Sequence, residues 1–275
     1  MLNESSRITV VVIVLNNESQ IEGCLKSIIS QNVNKIIVID GGSTDGTIEI
    51  VKQFPCDLHI IGKTGLSHSR QYGIDLVKTD YVALVDSDNI LSDNCLQFLF
   101  KDLIESNFVG ISAKKYSYDK KNIFGSFQEW MNSKKVNKPG LKLVIGTPAL
   151  YKTNILNNIV RYNPNIKFGD DTDLCYRLSL NGHYVGTGSG ICYEKMPSSF
   201  DEFYKKAFLY GKADLEFFKK NPSRRHDIGT HAIRNYFFKM TYFCFKDFKF
   251  NFLPLVFIYS ISRFLGLYFN LIFKK

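Results

Sequence analysis

Acidic residues form three groups whose spacing could support chemistry. Asp86 and Asp88 follow the apolar run VALV, Asp40 ends the run IIVID, and residues 169–173 read GDDTD. Neighbouring carboxylates can hold a divalent cation, and a carboxylate close to another acquires the raised pKa that suits a general base. Aspartates are also common in turns and at helix N-termini. The residues alone therefore leave a purely structural role open for each group.

The elements around these groups predict a mostly parallel sheet flanked by helices, because strand-like and helix-like segments alternate over the first 115 residues. The predicted strands are residues 8–15, 35–40, 58–61, 81–85 and 109–113. The predicted helices are residues 20–30, 47–53, 67–77 and 93–105. Such sheets bind ligands at the carboxyl ends of their strands. Asn16, Asn17, Asp40, Asp86 and Asp88 follow three different strands, so we expect them along one edge of the sheet.

The remaining part of this region is less regular. Residues 116–141 are polar and predict a long loop over the site, and residues 141–151 predict a further strand. No GxGxxG sequence follows the first strand, and no GxxxxGK[ST] sequence occurs in the chain. These absences disfavour a dinucleotide site and a P-loop nucleotide site.

Five segments, in order, resemble the motifs of the family-2 inverting glycosyltransferases, which have a Rossmann-like GT-A fold. They are VVIVLNNESQIEGCLKSIISQ, IIVIDGGSTDGT, GLSHSRQYGIDLVKTDYVALVDSDN, GTPALYKTNIL and GDDTDLCYRLSLNG. The resemblance implies inverting transfer of a hexosyl or N-acetylhexosaminyl unit from a nucleotide-diphosphate sugar, expected to be a UDP-sugar. The acceptor would be a hydroxyl of a glycan or lipid-linked glycan. The Gln-x-x-Arg-Trp sequence of processive synthases is absent, so addition of a single sugar is expected.

The resemblance also implies roles for individual residues. Asp171 would be the general base, with a pKa raised by Asp170 and Asp173. Asp88, and with it Asp86, would bind Mn²⁺ or Mg²⁺, since hard oxygen ligands beside a diphosphate suit these ions. The residues implied at the donor are Leu15, Asn16, Asn17, Asp40, Gly65, Arg70, Asp86 and Ser87. The residues implied on the acceptor side are Gly146, Thr147, Asp170 and Glu194.

Some residues depart from the family pattern. The usual Pro-Thr-Tyr-Asn is Val14–Asn17 here, so a tyrosine that stacks on the base is missing. The usual Glu-Asp pair is Asp170 and Asp171, and Tyr193-Glu194 stands where many members have a histidine. Glu194 is therefore the substitute candidate for a metal-binding histidine.

Two other functions stay open at this point. A sugar-1-phosphate nucleotidyltransferase on a related sheet would be expected to show a Gly-rich, basic N-terminal loop, which the VLNNES turn lacks. A non-catalytic docking protein is the other, and Asp86, Asp88 and Asp171 speak against it. Arg70 could also be a solvated helix residue.

The C-terminal part of the chain differs from the rest in charge. The formal net charge is +9, yet residues 203–275 alone carry 14 Lys and Arg against four acidic residues, and 21 of the 39 aromatic residues. Residues 252–273 are the best candidate for a membrane span, but Arg263 divides them into uncharged runs of 11 and 10 residues. A membrane-spanning helix needs a run of about 18 uncharged, mostly apolar residues. Interleaved lysines and aromatics instead suit the headgroup layer of a bilayer.

These patterns predict a GT-A catalytic domain over residues 1–200, with a donor-binding half (1–115) and an acceptor-side half (116–200), and a helical region over 201–275. We expect that region to attach the protein peripherally, or by shallow insertion, to the cytoplasmic face of a membrane. Packing of its helices within the protein or an oligomer is the alternative. Nucleic-acid binding is not expected, because no binding module is present. The six scattered cysteines indicate reduced thiols in the cytosol.

Overall fold

The structure is a computed structural model and describes residues 4–118, 122–223 and 233–272. The chain divides into two compact units. The first is formed by Met1–Tyr118, Asn132–Asn165 and Asp170–Lys195, and the second by Asp119–Met131, Ile166–Gly169 and Met196–Lys275.

The first unit is built on a nine-stranded mixed sheet. Its strands are β1 (Ile8–Val14), β2 (Lys35–Asp40), β3 (Asp57–Ile60), β4 (Tyr81–Asp86), β5 (Asn89–Leu91), β6 (Gly110–Ser117), β7 (Gly140–Lys142), β8 (Ala149–Lys152) and β9 (Val185–Glu194). Their order is β3-β2-β1-β4-β8-β6-β9-β5, and β7 pairs with β9 outside this order. The strands β3, β2, β1 and β4 are parallel neighbours, as are β6 and β9, while β5, β7 and β8 are antiparallel to their partners. The predicted α/β fold with a mostly parallel central sheet is confirmed.

Helices alternate with these strands along the chain. They are α1 (Ile21–Ile29), α2 (Thr47–Val51), α3 (Leu66–Asp75), α4 (Cys95–Glu105), α5 (Ile123–Lys134), α6 (Thr153–Asn158), α7 (Asp170–Leu180), α8 (Phe200–Lys220), α9 (Lys239–Lys246) and α10 (Leu253–Ile272). The described residues also include short turns of 3₁₀-helix at Glu4–Arg7 and Phe250–Phe252 and a π-helical segment at Ile233–Phe238.

The sheet is buried on both faces, which explains why its central strands are apolar throughout. Along β1, Val10 and Val12 belong to one hydrophobic core together with residues of α1 and α4, while Val11 belongs to another core with residues of α3, α6 and α7. Successive side chains of a strand point to opposite faces, so a strand covered by helices on both sides needs apolar residues at every position.

Two predictions for residues 116–151 are wrong. Residues 116–141 do not form a continuous loop, because β6 extends to Ser117, α5 covers Ile123–Lys134 and β7 begins at Gly140. Residues 119–121 of that predicted loop lie outside the described part of the chain. Residues 141–151 form two separate strands, β7 and β8, in place of one. Pro148 lies between them, and proline has no N–H with which to continue a ladder of hydrogen bonds.

The second unit has a core of aromatic and aliphatic side chains from α5, α8, α9 and α10. The helices α8 and α10 come close together at two glycines. A Cβ atom placed on Gly211 would lie 2.0 Å from the carbonyl oxygen of Arg263, and one placed on Gly266 would lie 2.0 Å from that of Phe208. Only glycine permits this approach, so the two positions determine how these helices pack.

The apolar helix α10 includes Arg263, and the structure resolves how that charge is accommodated. The guanidinium of Arg263 donates two hydrogen bonds of 2.7 and 2.8 Å to the carboxylate of Asp214, and it lies 4.1 Å from the ring centroid of Tyr236. The residue is 8% exposed. Among the described residues, Phe250–Phe269 is the one helical stretch long and apolar enough to cross a membrane, with a mean hydropathy of 1.6 and half of it buried. A core helix of a soluble protein meets the same criteria. Phe273, the last residue of the predicted span, lies outside the described residues.

Candidate active site

Side-chain hydrogen bonds tie together the loops that follow β1, β2 and β4. Asn16 accepts a hydrogen bond of 2.8 Å from the backbone N–H of Thr44. Asn17 donates one of 2.8 Å from its side chain to the hydroxyl of Ser87. These three strands are adjacent and parallel. The residues predicted to surround a donor are therefore gathered at one edge of the sheet, as expected.

Asp40 is fully buried at this edge and organises its own turn. Its carboxylate accepts hydrogen bonds from the backbone N–H groups of Gly42 and Ser43, at 2.8 and 2.7 Å, and from the hydroxyl of Ser43 at 2.6 Å. With this arrangement Asp40 shapes the loop after β2. Its predicted role at the donor stays a prediction.

Arg70 lies at the centre of the site. Its helix α3 begins after Gly65, whose φ of +90° favours glycine. A Cβ atom on Gly73 would lie 2.4 Å from a methyl group of Val11, so α3 packs tightly against β1. Arg70 is 2% exposed, which rules out a solvated helix residue.

Three carboxylates bind this one guanidinium. Nη1 donates hydrogen bonds of 2.7 Å to Asp170 and 2.8 Å to Asp171, and Nη2 donates one of 3.0 Å to Asp86. Since Asp170 and Asp171 are about 100 positions away in the sequence, Arg70 joins the end of β4 to the start of α7. A buried cation needs such partners. The structure thus gives Arg70 an intramolecular role that the sequence did not predict.

Asp171 has the properties that a general base requires. Its side chain is 24% exposed, against 9% for that of Asp170. Burial raises the pKa of Asp171, Arg70 lowers it and Asp170 raises it again, with a resulting pKa of about 6. The hydroxyl of Tyr162 donates a hydrogen bond of 3.2 Å to the same carboxylate. Asp173, expected to raise this pKa as well, instead accepts a 2.7 Å hydrogen bond from Arg177.

The segment Gly146-Thr147 lies next to the carboxylates of both Asp86 and Asp171. The hydroxyl of Thr147 donates a short hydrogen bond to Asp86. A Cβ atom on Gly146 would lie 3.4 Å from Oδ2 of Asp171, so glycine keeps the space beside this carboxylate open. Burial alone would raise the pKa of Asp86, but Arg70, Thr147 and Lys115 together hold it below its ordinary value. Asp86 is therefore a stable anion next to a carboxylate that titrates near neutrality.

Asp88 fits a metal site that a ligand completes. It follows β4 in a turn, and its carboxylate accepts a hydrogen bond of 2.9 Å from the side chain of Asn89. In the described part of the chain, no group of three or more His, Cys, Asp or Glu residues could hold a metal ion by itself. Mg²⁺ is commonly bound by one or two carboxylates together with substrate phosphates. Asp88 and Asp86 are residues of this type, and their role as metal ligands stays a prediction.

Glu194 is the last residue of β9 and is paired with Asn89 of β5. Asn89 directly follows Asp88 in the sequence. Its carboxylate accepts a hydrogen bond of 3.0 Å from the ammonium group of Lys115, which is also largely buried. The carboxylate that stands where other members have a histidine is thus paired with a lysine. The remaining predicted residues, Leu15 and Gly65, border the site: Leu15 is 50% exposed, and Gly65 precedes α3.

Sequence reasoning missed Tyr162 and Lys115. Tyr162 lies in the irregular segment between α6 and α7, where no periodic pattern or motif distinguishes it. Lys115 had a detectable signal. It lies on β6 in line with Ala113, and a lysine in a strand of a sheet with two covered faces needs a buried partner.

Comparisons with known proteins agree with this architecture. The family model described as Glycosyl transferase family 2 matches residues 9–160, more than half of the chain. The chain therefore belongs to glycosyltransferase family 2, and its fold is GT-A. The rival assignment to the nucleotidyltransferases is thereby set aside.

Among individual proteins, the chain is similar to the glycosyltransferase GlyG of Streptococcus pneumoniae serotype 4, with 31% identity over 42% of this chain and 41% of that protein. It is similar to the minor teichoic acid biosynthesis protein GgaA of Bacillus subtilis, with 24% identity over 65% of this chain and 44% of that protein. The chain thus spans less than half the length of these relatives. The structure of residues 1–349 of TarS from S. aureus matches with a TM-score of 0.55 and 15% identity, over 94% of this chain and 88% of that one, which supports the fold.

Proposed function

We propose that this protein transfers a single sugar, with inversion, from a nucleotide-diphosphate sugar to a hydroxyl of a glycan or lipid-linked glycan. The observation that carries the proposal is the carboxylate of Asp171, partly exposed, with a pKa of about 6 and held by Arg70 next to Asp86. A base with this pKa is ionised at neutral pH, yet is basic enough to accept a proton from a hydroxyl in the transition state.

The proposed reaction is one displacement. The acceptor hydroxyl lies beside Asp171, in the space that Gly146 leaves open, and gives its proton to the carboxylate as its oxygen attacks the anomeric carbon. The new carbon–oxygen bond forms on one face of the sugar while the bond to the diphosphate breaks on the other. The electron pair leaves with the diphosphate, and the configuration at the anomeric carbon inverts.

The donor lies at the carboxyl ends of β1, β2 and β4 in this proposal, as is usual for such sheets. Asn17 and Ser87 would line it at the ribose side, and the exposed side chain of Leu15 offers an apolar surface to the base. A UDP-sugar is the proposed donor. Asp88, with Asp86, would hold Mn²⁺ or Mg²⁺, and such an ion supplies positive charge to the leaving diphosphate.

Arg70 positions the base in this scheme. Its guanidinium is occupied by three carboxylates, so it keeps Asp86, Asp170 and Asp171 at fixed distances from each other. Relaxation of this contact would misplace the base relative to the anomeric carbon, and small misplacements reduce rates strongly.

A nucleotide-sugar panel with Mn²⁺ tests the proposal. Wild type should transfer one sugar to a suitable glycan acceptor, and Asp171→Asn should bind the donor but lose about 10²-fold or more of the transfer rate. Asp173→Asn is the matched control, because it neutralises a carboxylate of the same helix that binds Arg177 instead. An NMR spectrum of the product determines the anomeric configuration. Equal rates for wild type and Asp171→Asn, or retention of configuration, would refute the mechanism.

We further propose that the second unit places the protein on the surface of a membrane where a lipid-linked acceptor is presented. The helix α10 carries an exposed stripe at Phe257, Ile261, Phe264 and Leu265, which recur with helical spacing. Arg263 is on another side of this helix and is paired within the unit, so no charge interrupts the stripe.

The composition of residues 245–250, which precede α10, favours binding to an anionic lipid surface. Exposed aromatic side chains at Phe245, Phe248 and Phe250 alternate with the exposed lysines Lys246 and Lys249. Upstream of this segment, the ring of Phe237 lies 6.2 Å from that of Phe257, so a further aromatic side chain borders the stripe of α10. Apolar side chains in the acyl boundary and lysines at the headgroups are the usual features of interfacial helices.

Sedimentation with vesicles tests this attachment. The full chain should bind vesicles that contain about a third phosphatidylglycerol more strongly than pure phosphatidylcholine. A double variant, Phe257→Ser with Ile261→Ser, should lose this binding, whereas Leu143→Ser is the control, since Leu143 is 84% exposed in the first unit. Equal binding by the stripe variant and wild type, or a stable dimer that the same substitutions dissociate, would refute the membrane proposal in favour of an interface between copies.

A further inference from the structure

A second cleft lies in the first unit, at the edge of the sheet away from the proposed donor site. Its volume is about 490 Å³, and residues that precede β1 and β4, together with the junction of β8 and α6, line it. Tyr81 begins β4 and is paired with Lys152, the last residue of β8. Asp86 ends β4 five residues later, so at the rise of a strand the two places are roughly 16 Å apart. A ligand in this cleft therefore does not occupy the donor site.

The cleft has a surplus of positive charge. Its lining includes Arg7, Lys78 and Lys152 but a single carboxylate, that of Asp80. Arg7 donates hydrogen bonds of 3.1 and 2.7 Å to Asp80, so these two charges offset each other. Neither Lys78 nor Lys152 forms an ion pair with any residue that the structure describes. Two lysines without partners on one concave surface attract an anion.

Buried polar atoms without partners lie beside these lysines. Thr153 lines the cleft and is 6% exposed, and its hydroxyl has no hydrogen-bond partner. The side-chain carbonyl oxygen of Asn157, in the same lining, is also buried and unpartnered. Because buried polar groups in proteins are nearly always hydrogen-bonded, such atoms in a cleft indicate a bound polar ligand or water. One hydroxyl and one amide oxygen suit the hydroxyl groups of a carbohydrate.

We infer that this cleft binds a phosphorylated sugar, either free or as a unit of a phosphate-bearing glycan. Lys78 and Lys152 meet the phosphate, and Thr153 and Asn157 bond to hydroxyl groups of the sugar. The volume lies in the range of small-molecule sites. No residue of the proposed transfer reaction takes part, so this binding goes beyond the proposed function and does not depend on it.

Calorimetric titration of the full chain tests this inference, with glucose 6-phosphate, glucose, inorganic phosphate and a glucose-substituted glycerol phosphate oligomer as probes. The buffer contains Mg²⁺ and saturating UDP, so that the donor site is filled and does not contribute. We expect glucose 6-phosphate or the oligomer to bind and glucose to fail. A preference for the first indicates a free sugar phosphate, and a preference for the second a glycan.

Three variants assign the binding to the cleft. Lys78→Gln combined with Lys152→Gln should weaken it at least about tenfold, since two charge-assisted contacts are lost. Lys52→Gln, an exposed lysine of the first unit, should leave the affinity unchanged. Thr153→Val should weaken the binding of glucose 6-phosphate but not that of inorganic phosphate. Three results would overturn the inference. Wild type could fail to bind the probes at millimolar concentration, or the double lysine variant could bind them with the same affinity as wild type. Inorganic phosphate could also bind as strongly as both larger probes. Loss of transfer activity alone would not affect it.

Discussion

The hydroxyl of Tyr162 should lower the pH at which the enzyme loses activity, because it lowers the pKa of Asp171. The pKa of Asp171 is about 6, and the base must be ionised to accept a proton. About nine tenths of the protein is therefore active at pH 7 and about one tenth at pH 5. The rate constant kcat/KM should fall tenfold per pH unit below this pKa, since it reports the free enzyme.

The substitution Tyr162→Phe removes one hydrogen bond from the ionised carboxylate and keeps the ring. The bond from Tyr162 to Asp171 is 3.2 Å long and lowers the pKa of Asp171. A hydrogen bond of this length contributes about 1 kcal/mol, and its loss should raise the pKa of Asp171 by about 0.7. At pH 6 the ionised fraction then falls from about one half to about one sixth, a threefold loss of kcat/KM, while the rate above pH 8 is unchanged.

The assay measures kcat/KM for sugar transfer at a series of pH values between 5 and 9, and the glycosylated product is quantified at each pH. Tyr184→Phe is the control, because Tyr184 is 52% exposed and has no contact with Asp171. The fall of kcat/KM on the acidic side of the pH profile should shift to higher pH in Tyr162→Phe. If it does not shift, the assignment of this fall to the protonation of Asp171 is refuted. A wild-type fall below pH 5 would refute the balance of burial and charge from which the pKa of about 6 follows.

Three further outcomes follow from particular contacts. Arg70→Gln leaves three carboxylates without their cation and should cost about 3 to 5 kcal/mol in the free energy of unfolding, measured with urea. Arg70→Lys should restore most of that stability but lose transfer, because an ammonium group cannot reproduce the planar fork; full activity of Arg70→Lys would contradict its positioning role. Asp88→Asn should weaken Mn²⁺-dependent donor binding, followed calorimetrically, and leave the melting temperature unchanged, and undiminished binding would exclude Asp88 as a ligand. Gly211→Val should lower the melting temperature strongly, because its Cβ would meet the carbonyl oxygen of Arg263, whereas Lys205→Val, at an exposed position of the same helix, should cost less; similar losses for both would mean that the approach of α8 and α10 is adaptable.

The fold could be predicted to a large extent, because its signals are local. Apolar runs bounded by turn residues gave β1, β2 and β4 within one residue of their ends, and the period of the apolar residues gave α1. The helix α5 had the same kind of signal: Phe124, Phe127 and Trp130 recur every three residues and are packed in one core. The polar residues between them nevertheless favour a loop when the sequence is considered alone.

What sequence alone determined is which residue types follow which strand. The positions of Asp40, Asp86 and Asp171 come from patterns of a few residues, and those patterns predict a nucleotide-sugar site. Tertiary structure decided which partners these residues have. Arg70 binds Asp170 from 100 positions away, and the pKa of Asp171 depends on burial and on the charges of distant residues. No local pattern encodes such contacts, because they exist only once α3, β4 and α7 are packed against the same sheet.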